Sequence, residues 1–190
     1  MRGAAWLPLA LALAAARLGA QQVVVDFDPA QTEIHWTVDS TLHTVHGTFK
    51  LKRGEIRIDA ATGKAGGEIV IDVASGESGN GSRDRRMHHE ILESGRFPEA
   101  VFTPDRVGEH FVPTAASQRV DVHGSFLFHG SPHELTLAVQ VLQQDGRMTA
   151  STHFSVPYVE WGLKDPSKFV LKVAPRVDVE VAGVGRIHAP

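Results

Sequence analysis

The sequence contains no cysteine, which excludes disulfide bonds, thiolate metal ligands and thiol chemistry. An oxidising compartment permits disulfides without requiring them, so their absence does not argue against export. Charge of one dominant sign is also lacking, because 19 Lys and Arg are interspersed with 22 Asp and Glu for a formal net charge of −3. A basic nucleic-acid-binding surface is therefore not expected.

Long hydrophobic runs are scarce, and the one at the N-terminus is short. Residues 7–16 are mostly Leu and Ala behind the positive Arg2, and residues 18–20 offer small side chains to a signal peptidase. A membrane-spanning helix needs roughly 20 apolar residues. We therefore predict a cleavable signal peptide over residues 1–20 and export to a periplasm or the cell exterior. An uncleaved N-terminal anchor is the alternative.

Recognisable catalytic motifs are missing as well. The sequence has no serine nucleophile elbow and no H-E-x-x-H motif. The Gly-rich stretch at residues 76–81 lacks the Lys-Ser/Thr ending of a phosphate-binding loop. No enzymatic activity is therefore predicted. Catalysis by scattered Asp, Glu and His residues is the alternative.

The chain consists mainly of short strand-like segments. Residues 32–38 alternate polar and apolar side chains, with Ile34, Trp36 and Val38 on one face. Comparable strands are predicted at residues 45–51, 55–59, 67–73, 100–103, 119–128, 134–141, 147–156, 169–173 and 176–181, with a weaker one at 111–113. Asp145-Gly146 is a typical hairpin turn, and the tail from residue 183 to 190 is expected to be loosely held.

One segment breaks this pattern. Asn80 or Ser82 can cap a helix over about residues 82–93, in which Met87 and Ile91 share a face. Many short, evenly spaced strands with one excursion predict an all-β fold, an eight-stranded antiparallel β-barrel. We expect residues 21–190 to form a single domain.

Four segments of the sequence stand out, at residues 27–36, 45–49, 83–102 and 124–141. The first follows the pattern D-P-x-x-S-x-I-x-F, with Thr32 in the Ser place and Trp36 in the Phe place, and the second fits V-x-G-x-F. The third and fourth resemble R-D-x-H-L … F-P-x-x-x-F and L-T-I-H-G-x-x-x-P-V-x-L. Four such segments in this order resemble the YceI-like family of exported lipid-binding proteins. Two further positions depart from the family pattern. His89 stands where Leu is usual, and residues 158–162 keep an aromatic-Gly pair but lack the family's late Arg.

The resemblance implies a lipocalin-like barrel that carries a long apolar lipid, such as a polyisoprenoid, without catalysis and with no other cofactor. Alternate residues of a barrel strand face inward. The predicted ligand-binding residues are apolar: Ile34, Trp36, Val38, Phe49, Ile69, Ile71, Val73, Phe102, Phe126, Phe128, Leu135, Leu137, Val139, Phe154 and Trp161. Guanidinium groups match phosphate geometry, so the basic residues of the helix are predicted head-group contacts, above all Arg83, Arg85 and His88.

Eleven histidines in 190 residues keep a second hypothesis open, that of an exported metal-binding protein. The closest groupings are His43 with His46, His88 with His89, and His129 with His133. The first pair is spaced by three, which puts the side chains on opposite faces of a strand, and the last pair flanks a turn. Transient membrane contact and a homodimer through an exposed hairpin edge also stay open.

Overall fold

The computed structural model describes residues 22–108 and 115–188. The predicted signal peptide and the weak strand at 111–113 lie outside these residues. The described part forms nine strands: β1 Gln22–Phe27, β2 Glu33–Val38, β3 Val45–Asp59, β4 Ala65–Glu77, β5 Glu99–Val107, β6 Gln118–Phe128, β7 Ser131–Gln144, β8 Arg147–Val156 and β9 Val177–His188. Between β4 and β5, helix α1 (Gly81–Arg86) continues into a π-helical turn at Met87–Ile91. No helix in the described part is long and apolar enough to span a bilayer.

The strands close into a ring through antiparallel pairing in the order β2-β9-β8-β7-β6-β5-β4-β3 and back to β2. β1 continues the line of β2, since Val24 pairs both with Arg57 of β3 and with His188 of β9. A 3-10 turn separates the two strands, and the Asp28 carboxylate caps it by accepting the Ala30 N–H at 2.9 Å. β1 and β2 thus fill one strand position, which confirms the predicted eight-stranded barrel.

Two predictions about the end of the chain were wrong. Residues 169–173 form no strand and contribute a single bridge, between Ser40 and Val173. All positions of the ring are already filled, so this segment has no free ladder to join. Residues 183–188 are not loose but belong to β9, because they pair with β8 on one side and with β1 on the other.

The predicted helical excursion is present over residues 81–91, and its final turn is π-helical rather than α-helical. The Asn80 side chain accepts the Ser82 and Arg83 N–H groups, as a helix N-cap does. The Leu92 N–H donates to the Met87 carbonyl at 2.9 Å, five residues back, and this bond defines the π-helical turn. The excursion covers one end of the barrel.

Candidate functional site: the barrel interior

The barrel interior contains two adjacent chambers. The inner chamber, towards the β3–β4 turn, has a volume of about 140 Å³, and the outer chamber, beneath α1, has a volume of about 500 Å³. Four side chains line both chambers: Ile34, Ile71, Phe126 and Phe154. These four residues form a waist, so that anything reaching the inner chamber from the outer one must pass between them.

The inner chamber is almost wholly apolar, and no charged side chain is among the described residues that line it. Two of the three hydroxyl-bearing residues that line it bond to the protein backbone: Thr152 Oγ1 donates to the Ala138 carbonyl at 2.9 Å, and Thr32 Oγ1 donates to the Asp28 carbonyl at 2.8 Å. An apolar cavity of roughly 150 Å³ stays dry and admits a benzene-sized group. The inner chamber therefore suits a short hydrocarbon segment and not water.

The outer chamber falls within the size range of small-molecule sites, roughly 300–1,000 Å³. Met87 and Ile91, the predicted apolar stripe of the helix, both line it. The helical excursion thus forms part of its wall. Tyr158 lies on the same lining, where its hydroxyl donates to the Ala174 carbonyl at 2.9 Å. Burial, with a smaller contribution from Asp165, raises the pKa of Tyr158 to about 12, so the phenol remains a neutral donor.

Trp36 occupies the outer chamber in a position that depends on a glycine. Trp36 of β2 pairs with Gly47 of β3, and a Cβ atom added to Gly47 would lie 2.2 Å from the indole ring and 2.3 Å from the Glu77 carbonyl oxygen. Phe49 packs beside the indole, with ring centroids 6.3 Å apart. The buried Nε1 of Trp36 has no hydrogen-bond partner among the described residues.

All the predicted tunnel residues except Trp161 line one chamber or the other. Trp161 instead closes the barrel wall. β7 pairs with β8 only over Val139–Gln144, and Trp161 stacks on His133 of the unpaired stretch at a centroid distance of 3.8 Å. Burial lowers the pKa of His133, which favours the neutral, stacked imidazole. Residue type alone did not distinguish a tryptophan that fills a gap between strands from one that faces the lumen.

The predicted head-group residues have different positions. Arg83 lies at the mouth of the outer chamber, with its guanidinium held by the Ser78 hydroxyl at 2.7 Å and the Ser78 carbonyl at 2.8 Å. Arg85 is exposed and does not line the chamber. His88 lies between the Ser94 hydroxyl and the Gly76 carbonyl, so it anchors the helix to the barrel.

Arg86, another member of the basic cluster, does reach the mouth. Its Nη2 donates to the Pro166 carbonyl at 3.2 Å, and its Nε lies 3.5 Å from Glu90. The separation between exposed Arg85 and mouth-lining Arg83 and Arg86 follows from helical geometry, since positions three apart share a face and adjacent positions do not. The sequence therefore indicated the cluster, but not which of its members face the cavity.

Several lining residues were not in the predicted set. Val177, Val179 and Val181 of β9 line the chambers, as do Val25 and Met148 in the inner one. The alternation of the three valines along β9 was a usable signal. The contribution of Val25 was harder to infer, because β1 enters the barrel only by continuing β2.

The histidine pairs do not gather additional ligands. Among the described residues, one group of three potential ligands lies close together: Asp105, His123 and Glu134, on the outer wall. His123 Nδ1 lies 2.8 Å from Asp105 and Nε2 lies 3.6 Å from Glu134, so the carboxylates sit at opposite nitrogens of one ring.

Comparison with known proteins agrees with the architecture. The chain resembles Burkholderia cenocepacia BcnA at 18% identity and a TM-score of 0.71, covering 84% of this chain and 99% of that one. It resembles a polyisoprenoid binding domain from Saccharophagus degradans at 19% identity and a TM-score of 0.70, covering 87% of this chain and 98% of that one. It also resembles a Campylobacter jejuni YceI protein at 13% identity and a TM-score of 0.57, covering 77% of this chain and 85% of that one.

At these identities the solved structures establish a shared fold. No curated protein sequence matched the chain. The model of the YceI-like domain, however, matches residues 26–184, which is nearly the whole described part of the protein. The chain belongs to the YceI-like family.

Proposed function

We propose that this protein is an exported, non-catalytic carrier of a long-chain apolar lipid, such as a polyisoprenoid, held along the axis of the barrel. The main supporting observation is the pair of chambers in line, about 500 Å³ and 140 Å³, separated by an apolar waist. A long, thin hydrocarbon fits this shape better than a compact ligand. The likeness to a polyisoprenoid binding domain and the signal-peptide-like residues 1–20 add support.

The energetics favour such a ligand. At ~0.8 kcal/mol per buried methylene, one five-carbon isoprene unit contributes roughly 3–4 kcal/mol before ordering costs. Two or three buried units would then give useful affinity. Because these contacts are non-directional, the chambers select for the length and width of a chain. The chemical identity of the ligand is then recognised by residues at the mouth of the outer chamber.

Native mass spectrometry of the exported protein, followed by solvent extraction, tests the proposal. We expect a stoichiometric mass excess that extraction identifies as an isoprenoid or another long-chain amphiphile. A bare polypeptide mass, together with no uptake of added polyprenyl lipid, would reject the carrier function. A mass excess that a chelator removes would instead favour metal binding.

Arg86 is expected to recognise an anionic head group. Because hydrogen bonds to charged groups contribute about 1.5–3 kcal/mol, Arg86→Gln should weaken the binding of a polyprenyl phosphate by about 10- to 100-fold relative to the parent polyprenol. Titration of both ligands into each variant measures this ratio. Arg85→Gln is the matched control, since Arg85 is exposed and away from the chamber. If Arg86→Gln leaves the ratio of polyprenyl phosphate affinity to polyprenol affinity unchanged, Arg86 does not recognise the charge of the head group.

A further inference from the structure

Three large apolar side chains are strongly exposed on two neighbouring loops at the mouth of the outer chamber. Phe169 is 98% exposed, Val170 77% and Leu42 69%. We refer to Leu42, Phe169 and Val170 as the mouth patch. Single exposed apolar residues need no explanation, but a group of them beside a cavity is typical of an interaction surface.

The loops that carry the mouth patch are joined to each other. The Thr41 N–H donates to the Lys172 carbonyl at 2.9 Å, and the Ala174 N–H donates to the Asp39 carbonyl at 2.8 Å. These bonds link the β2–β3 loop to the segment that precedes β9. They place Leu42 on the loop beside the segment that carries Phe169 and Val170.

Phe169 and Val170 lie at the tip of a closed turn. The Lys168 N–H donates to the Leu171 carbonyl at 2.7 Å, and the Val173 N–H donates to the Ser167 hydroxyl at 3.0 Å. The turn is therefore organised by its own hydrogen bonds. An organised turn that holds two apolar side chains in water indicates that the tip meets an apolar environment at some stage.

The same two loops also line the outer chamber. Ser40 and His43 contribute from one loop, and Pro166, Leu171 and Val173 contribute from the other. Leu171 thus faces the chamber, while the two residues before it face outward. The apolar lining of the chamber and the mouth patch are separated by the thickness of one loop, so a lipid leaving the chamber emerges beside the patch.

The charges around the tip are mainly positive. Residues 164–172 contain three lysines and one aspartate. Lys164 pairs with Glu90 at 2.8 Å, whereas Lys168 and Lys172 are exposed beside the tip. The carboxylates within residues 39–44 and 164–172 are Asp39 and Asp165, and Asp165 interacts electrostatically with Lys172. Apolar side chains flanked by lysines match the interface of an anionic bilayer, where each cation near the surface contributes about 1 kcal/mol.

We propose that the mouth patch docks the barrel onto an anionic phospholipid bilayer. In this state Phe169 and Val170 insert at the level of the head groups, Lys168 and Lys172 face lipid phosphates, and the mouth of the outer chamber opens towards the membrane. Cargo can then pass between bilayer and barrel without crossing water. The purpose of docking rests on the proposed carrier function, but docking itself is measurable without cargo.

Flotation with large unilamellar vesicles tests the proposal, using the exported protein and variants that keep the same N-terminal sequence. We expect the wild type to float with vesicles of phosphatidylglycerol and phosphatidylethanolamine, and to do so poorly with phosphatidylcholine alone. Phe169→Ser should weaken binding about tenfold or more, because one buried aromatic side chain is lost. Leu127→Ser is the matched control, since Leu127 is a 44% exposed leucine on the outer wall of β6.

Charge reversal gives a second, independent measurement. The double variant Lys168→Glu/Lys172→Glu should abolish the preference for anionic vesicles, whereas Lys64→Glu, at the β3–β4 turn on the opposite end of the barrel, should keep it. Failure of the wild type to bind anionic vesicles, or equal losses in Phe169→Ser and Leu127→Ser, would overturn docking. Mass spectrometry of the same samples separates the two proposals. Bound lipid without vesicle binding rejects docking alone. Phe169-dependent vesicle binding, with neither bound cargo nor uptake of added polyprenyl lipid, rejects the carrier alone.

Discussion

Gly47→Ala is expected to destabilise the protein by about 3 kcal/mol, the upper part of the range for overpacked cores. The added Cβ would lie 2.2 Å from the Trp36 ring and 2.3 Å from the Glu77 carbonyl oxygen. The indole is buried, and the oxygen belongs to the backbone of β4, so neither yields easily. Urea unfolding followed by circular dichroism measures the loss.

Gly66→Ala provides the matched control. Gly66 also lies in a strand, β4, but nothing stands within 4 Å of an added Cβ, and its φ is not positive. The free energy of unfolding of Gly66→Ala should stay within about 0.5 kcal/mol of the wild-type value. Trp36→Val combined with Gly47→Ala should lose less stability than the sum of the two single losses, because the ring contact is then absent while the Glu77 contact remains. Wild-type stability of Gly47→Ala would mean that β2 and β3 separate more readily than their pairing indicates.

The glycine of the V-x-G-x-F segment thus has a physical reason that the sequence did not provide. Alternation along β2 correctly placed Trp36 inside the barrel, because an inward residue of a strand is identified by period two alone. That the indole would lie across the backbone of the next strand depends on the pairing of Trp36 with Gly47. Pairing register is a tertiary property, which one strand's pattern does not contain.

The segment of residues 83–88 shows the same limit in the candidate site. Its basic residues were interpreted as ligand contacts, yet Arg83 and Asp84 both bond to Ser78, and His88 bonds to Gly76 and Ser94. These bonds hold the helical excursion over the outer chamber. Charge composition predicts that a surface is basic, but the partners of each side chain depend on loops distant in the sequence.

The two-chamber interior was only partly accessible from sequence. Period-two patterns identified most of the lining, since the residues of β6 and β7 that line the chambers are all apolar and alternate along each strand. They did not predict that Ile34, Ile71, Phe126 and Phe154 would meet at one level and divide the space. Residues from four different strands meet at one height because of the stagger of the barrel, which sequence patterns do not specify.

Because the interior is divided into two chambers, the chain length of the ligand is the binding property that substitutions can change most readily. Ala150 lies on β8, lines the inner chamber and pairs with Val141 and Gly183. Ala150→Phe adds a benzene-sized ring, the group that a cavity of roughly 150 Å³ admits, and the inner chamber measures about 140 Å³. The substitution should therefore fill the inner chamber with little strain while the outer chamber stays open.

Ala150→Phe should weaken the binding of long prenyl chains by at least about 100-fold, because one isoprene unit worth roughly 3–4 kcal/mol loses its place. Chains short enough for the outer chamber should bind as they do to the wild type. Titration with prenyl alcohols of increasing length gives the chain length at which the affinities of the two proteins diverge.

Thr149→Phe is the control, because Thr149 precedes Ala150 but is exposed on the outer face. Equal weakening of binding at every chain length, or the same weakening in Thr149→Phe, would show that the ligand does not enter the inner chamber. Weakening of binding only for longer chains would mean that the ligand crosses the waist.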